Sequence, residues 1–117
     1  MIDLESKKER YLRDPLPMRL GGLAANLARI GTVSINPANK TAVADMLRES
    51  KYFIEWTAIE FAPDIASELI DLQRELAKRH RNWHRDADDE NHRNEISSWA
   101  KRKSQLVFER FKELSNQ

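Results

Sequence analysis

The chain has 117 residues, with 20 lysines and arginines set against 19 aspartates and glutamates, and it contains no cysteine. That length suits one domain with a single core, and the missing cysteines exclude disulfides, thiolate zinc sites and cysteine nucleophiles. A net charge of +1 argues against an obligate nucleic-acid binder, although it leaves local basic patches open.

Apolar runs are only a few residues long, so no membrane span is expected. The opening MIDLESKKERYLRD is charged throughout and lacks an apolar signal core. The reading is a soluble, cytoplasmic protein. Glycine and proline are scarce and fall at boundaries, as in an all-helical chain.

Residues 1–15 carry Ile2, Leu4, Tyr11 and Leu12 among many charges. They read either as a short helix capped by Asp3 or as an arm that orders on a partner. Pro15 and Pro17 interrupt any helix there, and Pro17 suits a first helical position. Residues 16–117 then form the single helical domain.

Its first helix is expected over about 17–32. Leu16, Leu20, Leu23, Leu27 and Ile30 keep four-three spacing, an apolar seam of coiled-coil type. Beside it runs a strip of small residues: Gly21, Ala24, Ala25, Ala28 and Gly31. Glycine costs about 1 kcal/mol of helix propensity relative to alanine, and close approach of another backbone would offset this.

Asn36-Pro37 reads as an N-cap followed by proline at the first helical position, opening a second helix over about 37–60. Val43, Leu47, Ser50, Ile54, Thr57 and Phe61 form its main stripe, widened by Met46, Phe53 and Ala58. Tyr52, Trp56 and Ile59 emerge on another side. A helix apolar on two sides lies between layers or meets another molecule, so this segment is taken as the bundle's central helix. Its end falls between Thr57 and Pro63: Thr57-Ala-Ile-Glu60 has the form of a capping box that could open a new helix, whereas Pro63 favours a break near Ala62, because an interior proline costs about 3 kcal/mol.

The third helix places Ile65, Leu69, Leu72, Leu76 and Trp83 on one seam, with Arg79 one step before the tryptophan. Ala66, Ile70, Gln73, Ala77, His80 and His84 make the adjacent seam. An acidic turn, Asp86 to Asn91, precedes the last helix, expected over about 92–114. Ile96, Ala100, Val107, Phe111 and Leu114 form its stripe, flanked by Trp99, Leu106 and Phe108. The fold expected is all-α, an antiparallel four-helix bundle preceded by the N-terminal arm.

Chemistry-bearing candidates gather late in the chain. His80 and His84 share a helical face and could ligate a divalent ion with Asp88, but the acidic turn interrupts that face and no metal or other cofactor is expected. The segment Arg79-His80-Arg-Asn-Trp-His84 resembles the Arg-polar-x3-His motif of HEPN-domain ribonucleases. That resemblance covers six residues and implies phosphate contact by Arg79 and acid–base chemistry by His84. Arg81 and Arg85, with Lys101 and Arg102, could make a nucleic-acid patch, though neighbouring acids cancel much of its field. Ser34, Ser67, Ser97 and Ser98 lack any glycine-elbow context, and Gly21-Gly22 lack the lysine and strand of a phosphate loop.

Trp56, Trp83 and Trp99 fall at stripe borders, which fits either a bundle rim or an interface. The contact surface expected is Tyr52, Trp56 and Ile59 together with Gly21, Ala25 and Ala28, serving a homodimer or another protein partner. RLGGLAANLARIGTVSINPANK, MLRESKYFIEWTA and ELIDLQRELAKRHRNW resemble a group of small all-helical cyanobacterial proteins of unknown function. The likeness runs over residues 16–84 and implies a cytosolic, self-associating protein. The function expected is non-enzymatic protein–protein interaction, with a HEPN-like or metal-assisted ribonuclease, or a nucleic-acid-binding module, as alternatives.

Overall fold

The computed structural model describes residues 3–116; Met1, Ile2 and Gln117 lie outside them, so the expected N-terminal arm is followed from Asp3 onward. The described residues form five α-helices: α1 (Leu4–Arg13), α2 (Leu16–Val33), α3 (Lys40–Thr57), α4 (Pro63–Asp86) and α5 (Glu90–Ser115). Among the described residues there is no strand. The sequence leads one to expect four helices and an arm, and the fifth helix lies within that arm, over Leu4–Arg13.

Asp3 starts α1 by accepting from the Ser6 backbone N–H at 3.2 Å and the Ser6 hydroxyl at 2.8 Å. These bonds hold its carboxyl below the usual carboxylate range. One apolar anchor then docks the helix. Tyr11 is buried, its ring stacks on Phe53 with centroids 4.1 Å apart, and its hydroxyl donates to the carbonyl of Arg19 at 3.0 Å. Burial pushes the Tyr11 phenol well above its ordinary pKa.

The expected second helix divides into three pieces. Asn36 caps a 3₁₀ turn over Pro37–Asn39 by accepting from the Ala38 N–H at 2.9 Å; α3 follows, and a second 3₁₀ turn covers Ala58–Glu60. Thr57 does not act as a side-chain cap. Its hydroxyl instead accepts from Arg19 at 3.1 Å. The buried Arg19 guanidinium also donates to Glu60 at 2.6 Å and to the carbonyls of Leu12 and Asp14, at 3.2 and 3.1 Å. One arginine thereby ties the end of α1, the start of α2 and the end of α3 together.

Leu20, Leu23, Leu27 and Ile30 of α2 are fully buried, as are Val43, Leu47 and Ile54 of α3, so these two helices share the centre. α5 lies along α2, and α4 lies along α3. Contacts of Ala24 with Ser104 and Gly31 with Ser97 show α2 and α5 to be antiparallel, and those of Lys40 with Trp83 and Lys51 with Gln73 show the same for α3 and α4. The ring closes loosely, because α4 and α5 meet mainly through long side chains: Glu68 with Arg110, Glu75 with Lys103, Arg79 with Glu95.

Two of the three tryptophans lie deeper than the stripe-border reading expects. Trp83 is 2% exposed and donates its indole N–H to the Lys40 carbonyl at 2.8 Å. Trp99 is 3% exposed and donates to Glu75 at 3.1 Å. Each ring is buried because its single polar atom finds a partner at the edge of the core.

Candidate functional site

Four residues of α3 and the turn after it, Arg48, Tyr52, Glu55 and Ile59, follow at steps of four, three and four, so they line one side of a helical path. Arg48 sits 5.8 Å over the Tyr52 ring, and Tyr52 stacks on Trp56 with centroids 5.7 Å apart. Trp56 leans on Tyr11 and Phe53, at 6.2 and 6.0 Å. Helix α1 therefore covers one flank of the aromatic cluster and leaves Tyr52 and Trp56 half-buried. Ile59 stands 89% exposed beside them.

The small-residue strip of α2 divides between two surroundings. Gly21, Ala24 and Gly31 face α5 of the same chain: a Cβ on Gly21 would touch the Phe111 ring at 3.5 Å, Ser104 donates to the Ala24 carbonyl at 2.7 Å, and Ser97 donates to that of Gly31 at 2.5 Å. The close backbone approach expected for the strip is thus made with α5. Ala25 and Ala28 remain exposed, and Ala25 borders a shallow depression between α1 and α2.

His80 and His84 do not converge on a common ligand. The Nδ1 of His80 lies 3.0 Å from the Lys51 ammonium, which carries only donors, so this nitrogen accepts and the ring is neutral. Burial, then the charges of Lys51 and Arg48, hold its pKa below the usual histidine value. A cation thus occupies the side on which Nδ1 could bind a metal. His84 is exposed, and His92 bonds Asp89 at 2.6 Å at the start of α5. Among the described residues no three histidine or carboxylate side chains are placed to hold an ion.

Arg79 and His84 are also apart. Five residues turn about 140° around a helix, so the two point to different sides of α4. Arg79 forks onto both oxygens of Glu95, one at 2.8 Å, and lies 4.4 Å over the Trp99 ring. The hydrogen bond from Arg79 holds the Glu95 carboxyl below its ordinary pKa. Arg81, Arg85, Lys101 and Arg102 are all exposed. Arg85 pairs with Asp86 at 3.3 Å, while the stem of Lys101 lies on Gly31, on the α2 side of α5.

One feature has no counterpart among the expected sites. Between α4 and α5 runs a groove of about 470 Å³, floored by Leu20, Leu69, Leu72 and Val107 and edged by the 57%-exposed Leu106. Five carboxylates and two cations line it. Its signal is present in the sequence, since Glu68, Asp71 and Glu75 recur at steps of three and four on α4.

No family model, curated protein or solved structure matches this chain. No helix among the described residues is long and apolar enough to cross a membrane.

Proposed function

We propose that this chain is a non-enzymatic helical-bundle protein of the cytoplasm that acts by protein–protein contact and pairs with a second copy of itself through the Arg48–Tyr52–Trp56–Ile59 face. The observation that carries the reading is Ile59, 89% exposed beside the half-buried Tyr52–Trp56 stack. Arginine, tyrosine and tryptophan are the residue types that dominate binding hot spots, and burying an isoleucine is worth about 2 kcal/mol.

The strip is also complementary to itself. Arg48 and Glu55 flank Tyr52 on opposite sides along the helix. In a two-fold pairing each residue i meets a residue j and j meets i, so an antiparallel α3 pair centred near Tyr52 sets Arg48 of one copy against Glu55 of the other.

Light scattering should give twice the 13.7 kDa chain mass. Ile59→Glu should yield a folded monomer, and Trp56→Glu should do the same at some cost in stability through its contacts with Tyr11 and Phe53. Arg48→Glu and Glu55→Arg should each weaken the dimer, and the double swap should restore it. A wild-type monomer up to millimolar concentration would rule the reading out.

A further inference from the structure

The groove between α4 and α5 is where the ring of helices closes least tightly. Leu69, Leu72 and Val107 at its floor are almost fully buried, yet Leu106 on its wall is 57% exposed. A leucine at the lip of an apolar channel costs solubility and, within the subunit, gains little burial. Above it stand Glu68, Asp71 and Glu75 from α4 and Glu109 and Glu113 from α5, with Lys103 and Arg110 as the cations of the lining. The chain as a whole is slightly basic, so this channel reverses the sign of the molecule locally.

The two cations are already engaged. Arg110 pairs with Glu68 and, at 2.9 Å, with Glu113; Lys103 pairs with Glu75 at 3.1 Å. Asp71 and Glu109 have no partner on the opposite wall: Asp71 pairs along its own helix with Arg74 at 3.5 Å, and Glu109 accepts from Gln105 at 3.3 Å. The bridging carboxylates are about half exposed, and exposed ion pairs of this kind contribute at most about 1 kcal/mol. An incoming cation can replace Arg110 or Lys103 on its carboxylate at little cost.

The shape narrows the occupant further. The backbone groups of α4 and α5 are satisfied within their own helices, so neither wall offers the free N–H and C=O edge that an extended peptide needs. An occupant must satisfy its own backbone, as a helix does. From Ile65 to Glu75 the wall spans ten residue steps, about 15 Å, which matches about three turns of a docked helix. The polar groups lie along the rim with none converging at the floor, unlike the lining of a small-molecule site.

We propose that the α4/α5 groove docks an amphipathic helix of a partner protein. Its apolar stripe seats on Leu69, Leu72, Leu106 and Val107, and its flanking lysines or arginines meet Glu68, Asp71, Glu75 and Glu109. This site is separate from the self-association face on α3, and neither depends on the other.

Three labelled helical peptides of about 15 residues test it by fluorescence anisotropy: a leucine stripe flanked by lysines, the same stripe flanked by glutamates, and the lysine frame with the stripe changed to serine. The lysine–leucine peptide should bind saturably, and the other two about tenfold more weakly or less. Leu106→Gln and Glu109→Lys, both at exposed positions, should each weaken binding about tenfold while leaving the helical circular dichroism unchanged. Methyl shifts on binding should map to Leu69, Leu72 and Leu106, and Ile59→Glu should bind as wild type does whether or not the protein self-associates. Absence of saturable binding by the lysine–leucine peptide, equal binding of all three peptides, indifference to both groove variants, or shifts centred on Tyr52 and Trp56 would each overturn the proposal.

Discussion

The hydroxyl of Ser97 donates to the carbonyl oxygen of Gly31 at 2.5 Å, a bond between side chain and backbone that requires α2 and α5 to run very close together. A Cβ on Gly31 would stand 2.7 Å from Cγ of Lys101 and 3.2 Å from the backbone oxygen of Ser97. Cγ is only two bonds from the Lys101 backbone and the Ser97 oxygen is backbone itself, so neither gives way cheaply. Overpacking of this kind costs about 1–3 kcal/mol, and Gly31 is near the end of α2, where alanine regains less than its full 1 kcal/mol of propensity.

Gly31→Ala should therefore lower stability by about 1 kcal/mol. Gly22 gives the opposite sign. It lies inside α2, and a Cβ there would meet only the Tyr11 ring, at an ordinary 3.8 Å. Gly22→Ala should raise stability by about 0.5–1 kcal/mol. Urea unfolding midpoints of the two variants against wild type measure both, and equal shifts in one direction would remove the distinction.

Two buried serines make a second contrast. The Ser34 hydroxyl, fully buried just after α2, is the one buried side-chain polar atom among the described residues without a hydrogen-bond partner. Ser97, also buried, has its bond to Gly31. A buried hydroxyl without a partner keeps its desolvation cost, whereas a bonded one contributes about 1 kcal/mol. Ser34→Ala should be neutral to stabilising by about 1 kcal/mol, and Ser97→Ala should destabilise by about the same amount. Losses of equal size at both positions would refute the account of Ser34.

Much of this architecture is legible in four-three spacing. The leucines of α2 and the seam from Ile65 to Trp83 lie on the faces that their periodicity assigns. Periodicity says less about single anchors. Helix α1 has too few apolar residues to show whether it docks, and its attachment depends on Tyr11 meeting Phe53 and on Arg19, 11% exposed at its side chain, binding the ends of three helices. An arginine in a helical pattern ordinarily reads as surface, and nothing local shows that Thr57, Glu60 and two carbonyls converge on it.

The candidate sites follow the same rule. The exposed side of Tyr52, Trp56 and Ile59 follows from one helix alone. The depth of Trp83 and Trp99 depends on Lys40 and Glu75, each at least 24 residues away in the chain. Of the α4/α5 groove only the acidic α4 edge, Glu68, Asp71 and Glu75, is legible locally; that this edge faces Leu106 and Glu109 depends on the spacing of two helices, a tertiary property.

His80 links this packing to pH. It is half-buried, with the ammonium of Lys51 3.0 Å away on α3 and the charge of Arg48 also felt; Asp45 acts in the opposite sense, more weakly. Burial is the largest influence and the two cations add to it, so its folded-state pKa lies below the unfolded 6.5. As pH falls, the unfolded chain takes up this proton first. The stabilisation by neutral His80 is fully present above pH 6.5 and is lost as pH drops through the depressed folded value. The unfolding midpoint should fall as the pH drops from 6.5 to that lower value, and His80→Gln should remove this part of the dependence while leaving that of the carboxylates. Lys51→Met should move the His80 titration, followed by NMR, upward but short of the free-histidine value, because burial remains. A His80 that titrates at or above 6.5 in the folded wild type would mean that its ring faces solvent, away from Lys51.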